Sequence, residues 1–134
     1  MNPPEHAVMT ETVLLEAAGE SFNGKLGVAF VFVNRMKTRH QTAFQVCWSR
    51  WQFSCWLDPL ERIAQKFENE NAKTWSECSL ASEMALTNSI VDPTMGATHY
   101  LNKEVVLRDA GKLPGWLAGM KWLVKIGQHD FYKE

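Results

Sequence analysis

Apolar positions recur at helical spacing in the first third of the chain, then give way to a broken, aromatic-rich stretch. Met9, Val13, Leu14 and Ala17 fall on one helix face, and Gly19 supplies a stop just beyond them. Asn23-Gly24 reads as a turn able to N-cap the next segment. Lys25 to Met36 is apolar almost all round. Periodicity alone does not separate a buried helix from a strand there, but its length and the basic end Asn34-Arg35-Met36-Lys37 favour a central buried helix. Residues 38 to 56 read as irregular, with Gln52-Phe53-Ser54 a short extended stretch that places Gln52 and Ser54 on one side.

Helix-start chemistry organises the middle of the chain. Asp58-Pro59-Leu60-Glu61 offers an N-cap, a proline at the first helical position and an acid three residues after the cap, so a helix is expected to about Glu68. Thr74-Trp75-Ser76-Glu77 repeats the signature ahead of Leu80, Ala81, Met84, Ala85 and Asn88. Asp92-Pro93-Thr94-Met95-Gly96 is a turn, Thr98 to Asn102 a short strand, and Leu113-Pro114-Gly115-Trp116 a loop. Trp122 to Ile126 and His129 to Tyr132 flank Gly127-Gln128 as a hairpin. The expected fold class is α+β: a mainly helical domain with a small antiparallel β-sheet from the second half, residues 1–134 forming one unit.

Composition narrows the function classes. With 46% hydrophobic and 22% charged residues, the 134-residue chain reads as an ordinary globular protein. A net charge of −1 gives no electrostatic case for nucleic acid or an anionic membrane. The longest apolar run, Leu26 to Val33, is far too short for stable membrane insertion. Met1-Asn2-Pro3-Pro4-Glu5-His6 lacks the basic and apolar regions of a signal peptide, so synthesis in the cytoplasm is expected, with another route of release if the protein acts outside. Cys47, Cys55 and Cys78 are odd in number and irregular in spacing, which favours reduced structural thiols over disulfides or zinc. No metal, no cofactor and no stable partner chain are expected.

Glu16 is the leading chemical candidate. It lies about 60° around its helix from Val13, at the edge of the apolar face. A carboxyl group at such an edge, facing a cleft, tends to keep its proton near neutral pH and is a candidate general acid for glycosidic bonds. On spacing alone, Glu16 and Glu20 more often form a solvated helix face. Nor can they act as a flanking pair, because neighbours on one helix approach a bond from the same side. Glu20 is better suited to pairing with a basic residue or a backbone end. Six tryptophans suit the C–H faces of sugars, although each alone is more often a packing residue. His99 and His129 could meet across the sheet and hold substrate or a proton, against the plainer reading of structural histidines. Ser54 has no Gly-x-Ser-x-Gly elbow to activate it.

Five segments taken in order resemble the cell-wall hydrolase family of spore-cortex-lytic enzymes and phage lysins. They are Glu16-Ala17-Ala18-Gly19-Glu20; Gly24-Lys25-Leu26-Gly27-Val28-Ala29 leading to Val33-Asn34-Arg35; Trp51-Gln52-Phe53-Ser54; Asp92-Pro93-Thr94 with Gly96-Ala97-Thr98-His99-Tyr100-Leu101-Asn102; and Ile126-Gly127-Gln128-His129-Asp130-Phe131-Tyr132. The resemblance runs from about Met9 to Tyr132. It implies a lysozyme-like fold, peptidoglycan as substrate and cleavage between N-acetylmuramic acid and N-acetylglucosamine. It further implies Glu16 as the catalytic acid, with Gln52, Ser54, Tyr100, Asn102, Glu20 and His129 towards substrate. The chain departs from the family pattern at Leu14-Leu15, where tyrosine-glycine is usual, and at Ala18, where arginine is common. The expected activity is a single-glutamate lytic transglycosylase of a phage or prophage lysin, acting as a monomer. Alternatives are a hydrolytic muramidase, a non-catalytic peptidoglycan-binding module, and a zinc-dependent N-acetylmuramoyl-L-alanine amidase.

Overall fold

A computed structural model describes residues 2–48 and 54–134. Helices α1 (Pro3–Ala17), α2 (Phe22–Arg39), α3 (Ala43–Trp48), α4 (Leu60–Asn69) and α5 (Ala72–Leu86) come first. Strand β1 (His99–Leu101), helix α6 (Lys103–Ala110), and strands β2 (Lys121–Ile126) and β3 (His129–Lys133) complete the chain, with 3-10 turns at Ser54–Leu57 and Gly115–Leu117. The expected α+β class, mainly helical with a small antiparallel sheet, is what the chain adopts. Among the described residues no helix is long and apolar enough to cross a membrane.

The apolar run predicted as a central helix is α2, and every residue from Gly24 to Val33 is buried. Burial on all sides follows from its neighbours. One side packs on α1 and α5, and Val31 joins Ala97 and Phe131 under the sheet. Lys25 is buried with the rest, its ammonium donating to the Glu20 carbonyl at 2.6 Å and lying 3.7 Å from Glu77. The three cysteines are free and buried.

Helix starts depart from the sequence reading in detail. Ser21, not Asn23, caps α2, its Oγ accepting the Gly24 N–H at 3.3 Å. Asn71, not Thr74, caps α5, and Thr74 supplies the N–H it accepts at 2.8 Å. The Asp58 carboxylate caps nothing and takes Lys66 Nζ at 3.1 Å instead. Competing caps stand within a few residues of one another, and the tertiary contacts choose between them. The stretch read as irregular contains α3, opened by a reciprocal box: the Gln45 N–H donates to Thr42 Oγ1 at 3.1 Å, and the Thr42 N–H to Gln45 Oε1 at 2.9 Å. Trp51, Gln52 and Phe53 lie outside the described residues. The expected extended stretch meets the structure only at Ser54, whose backbone opens a 3-10 turn.

The sheet order is β1-β3-β2, both pairings antiparallel. The hairpin turns at Gly127, whose φ of +60° disfavours any side chain. The turn before β1 is built on Asp92. Its carboxylate accepts the Thr94 N–H (2.8 Å), the Thr94 hydroxyl (2.7 Å), the Gly96 N–H (3.0 Å) and the Asn34 amide (2.9 Å). That last bond ties the turn ahead of β1 to α2.

Candidate active site

Glu16 occupies the last turn of α1, half-buried. On its protein side the Tyr100 hydroxyl from β1 and the Cys55 thiol from the Ser54–Leu57 turn both lie close enough to its carboxylate to interact with it. Burial, then the Glu16 charge, pushes the Tyr100 phenol well above its usual range and raises the Cys55 thiol likewise. Both therefore act as donors to the carboxylate. Behind them is Arg35, 5% exposed, its Nε–H donating to the Thr98 carbonyl at 2.6 Å. Burial lowers the guanidinium to about 10, while Tyr100 and Glu16 pull it back up. It remains a cation at neutral pH. On the open side a cavity of about 270 Å³ is lined by Glu16, Gly19, Leu15, Lys66 and Glu70. A carboxylate backed by two donors and a buried cation, with its other side at a cavity, is placed to give up a proton and then carry negative charge.

Glu20 is differently placed. Its side chain is 14% exposed and sits against two glycines: a Cβ on Gly24 would lie 2.8 Å from its Cβ, and one on Gly127 would lie 3.0 Å from its Oε2. Its Oε1 is 3.2 Å from His129 Nδ1, a close polar contact in which the ring nitrogen lacks hydrogen-bond alignment. Burial lowers the His129 pKa, with Glu20 and then Glu16 opposing it. The pairing of Glu20 with a basic residue, one of the sequence readings, is thus present. Tyr100 packs edge-on against the His129 ring, centroids 4.9 Å apart, so the Glu16 and Glu20 environments share a wall.

The two histidines do not meet. The register sets His99 opposite Tyr132 and His129 opposite Ile126. His99 instead stacks on Trp116 at 5.2 Å and contacts Thr98 Oγ1 at 2.9 Å. Asn102 uses both ends of its amide within the protein: Oδ1 accepts the Val105 N–H at 3.2 Å, capping α6, and Nδ2 donates to Gln128 at 3.2 Å. Gln52 and the Ser54 side chain lie outside the described part of the chain. Among the described residues no three His, Cys, Asp or Glu side chains group closely enough to hold a metal ion. The sequence reading passes over Arg35 and Cys55 as site residues. For Arg35 the signal is a lone arginine closing an otherwise apolar helix.

His99 provides a pH test. Burial first, and Arg35 next, hold its pKa down to about 4 from 6.5. The unfolded chain then binds the proton more readily, so this contribution is present above pH 6.5 and is lost as pH falls towards 4. Urea midpoints between pH 7 and 4 should fall more steeply for the wild type than for His99→Gln; equal slopes would count against it.

Solved structures share this arrangement of helices and sheet. The catalytic domain of the germination-specific lytic transglycosylase SleB from Bacillus anthracis superposes with a TM-score of 0.73 at 24% identity, over 99% of this chain and 97% of that one. The catalytic domain of the Bacillus cereus SleB protein gives 0.74 at 24% identity, over 98% and 91%. At that identity the likeness establishes the fold. A comparison with curated protein sequences finds no match. The sequence profile described as Cell Wall Hydrolase matches residues 19–132, a span that begins three residues after Glu16 and includes Arg35, Tyr100 and His129. With most of its length inside that match, the chain belongs to the cell wall hydrolase family.

Proposed function

We propose that this chain cleaves the glycan strand of peptidoglycan between N-acetylmuramic acid and N-acetylglucosamine, as a lytic transglycosylase with Glu16 as its acid and base. The observation that carries the reading is the setting of Glu16: Tyr100 and Cys55 donate to it, Arg35 lies behind it and a cavity opens before it. In the first step the Glu16 carboxyl protonates the leaving glycosidic oxygen. The resulting carboxylate is stabilised by the two donors and the buried guanidinium. It then removes the proton from the muramic C6 hydroxyl, whose oxygen closes on C1 as a 1,6-anhydro ring. One group serves both steps, so Glu20 can stay tied to His129. Membership of the cell wall hydrolase family supports the substrate, and structural likeness to the Bacillus anthracis lytic transglycosylase supports the reaction type.

A hydrolytic muramidase is the second reading, because Glu70 lines the same cavity as Glu16 and could direct a water. Mass analysis of digested peptidoglycan separates the two. Transglycosylation leaves anhydromuramic ends, one water lighter than the reducing ends of hydrolysis. The proposal predicts anhydro ends throughout and no change in product with Glu70→Gln. Reducing ends as the main product would replace the first reading by the second.

A further inference from the structure

The cavity before Glu16 holds a charge that the cleavage steps leave unused. One wall is the end of α1 and the turn after it, where Glu16 alone has a polar side chain. The other wall is Lys66 in α4 and Glu70 at the end of that helix. Among the described residues Lys66 is thus the sole cation on the lining. An ammonium has three donors and no acceptor, so what it can hold is an acceptor, best of all a charged one.

The Lys66 ammonium is held in place. Its Nζ donates to Asp58 Oδ2 at 3.1 Å, and the Lys66 side chain is 40% exposed. Asp58 directly follows the Ser54–Leu57 turn, so the bridge draws the ammonium towards the start of α4 and the turn that carries Cys55. Glu70 lies at the other end of the helix. The Lys66 charge acts on the Cys55 thiol, opposing its rise, while the Glu16 charge acts on the same thiol in the other direction. Ammonium and carboxyl group therefore flank one small volume. Asp58 takes one of the three donors and leaves two for a ligand.

We propose that Lys66 reads the muramic residue through its lactyl carboxylate, which makes peptide-free glycan strands the preferred substrate. The reading rests on the proposed function. The two sugars of the strand differ in one substituent, the lactyl ether at C3 of the muramic ring. That group ends in a carboxylate when bare and in an amide when a peptide is attached. A carboxylate matches a donor-only ammonium, whereas the amide carbonyl brings no charge to the contact. Glu16 is protonated when cleavage starts, so the lining charges at that moment are Lys66 and Glu70. An anionic substituent is drawn to the first and repelled by the second, which orients the ring in the cavity.

The test measures binding to Glu16→Gln protein, so that nothing is cleaved, with two forms of one soluble peptide-free strand. One form keeps its lactyl carboxylates, and in the other they are capped as methylamides. Glu16→Gln protein should prefer the carboxylate form about threefold to tenfold, the scale of a charge-assisted contact at a half-exposed site. Adding Lys66→Gln should remove that preference and leave the capped form bound as before, while Lys66→Arg should keep most of it. High salt should erase it as well. In active protein Lys66→Gln should raise KM on carboxylate strands and leave kcat within about twofold. Equal binding of the two forms by Glu16→Gln, or a preference that survives Lys66→Gln, overturns the assignment and leaves the proposed function standing. Equal losses on both forms overturn it too, because Lys66 then supports the cavity without reading charge. Failure of both forms to bind Glu16→Gln overturns the proposed function and the Lys66 assignment with it.

Discussion

Replacing Glu16 by glutamine should reduce glycan-strand cleavage by about 10² to 10⁴, the range expected on losing a general acid-base group, while the protein still folds. The amide keeps the shape of the carboxyl and can still accept from the Tyr100 hydroxyl and the Cys55 thiol. What it lacks is a proton to give and a charge to hold opposite Arg35. The comparison with Glu20→Gln gives the experiment its edge, because the family match covers Glu20 and starts after Glu16. Glu20 is held by His129 and two glycines, so its amide should disturb the hairpin and lower the melting temperature more than Glu16→Gln does. Release of soluble fragments from purified walls, beside thermal melts of both variants, reads the two effects apart. A folded Glu16→Gln protein that cleaves at half the wild-type rate or better removes Glu16 from the mechanism.

The largest stability effect should come from Phe131→Ala. Phe131 is fully buried in β3, and its ring end touches α2 so closely that a Cβ on Gly27 would lie 2.6 Å from Cζ. The same ring lies 5.8 Å from Tyr100 and 6.3 Å from His129. Deleting a buried phenylalanine leaves a cavity between sheet and helix and costs about 3–5 kcal/mol, a large share of the roughly 5–15 kcal/mol that holds a domain folded. Denaturant unfolding should show the midpoint collapse. Phe131→Leu with Gly27→Ala should be less damaging than the two single changes summed, since the smaller side chain makes room for the added methyl. Strict additivity would mean that the close approach at Gly27 does not matter.

The legible parts of the fold are those where one local signal had no rival. Helix α2 shows itself because all-round burial leaves no polar face, and the hairpin because Gly127-Gln128 interrupts two apolar segments. Helix α6 carries Asn102 as cap, Glu104 in the first turn, Arg108 in the last and Gly111 after the end. It buries nothing, so hydrophobic periodicity is silent there, and the capping signal goes unread. The Thr42–Gln45 box of α3 is equally readable yet masked by the aromatics around it. At the site, the edge position of Glu16 is visible in the residues, whereas its surroundings are not. Tyr100, Cys55 and Arg35 reach it from three other elements, and no spacing in the chain encodes that convergence. The separation of His99 from His129 follows from strand register, which short strands of this composition leave open.

The strand order places the last strand of the chain between the other two. Among the described residues β1 pairs only with β3, so Tyr100 has no sheet to stand on until residues 129–133 are made and docked. Glu16 is synthesised more than a hundred residues before His129 and Phe131, which complete the wall beside Tyr100. Completion of the cleft therefore depends on contacts more than a hundred residues apart, such as Glu20 with His129. A nascent or C-terminally clipped chain would carry the helical core and its carboxylate without a finished cleft. Topology alone thus separates when the acid exists from when it can act.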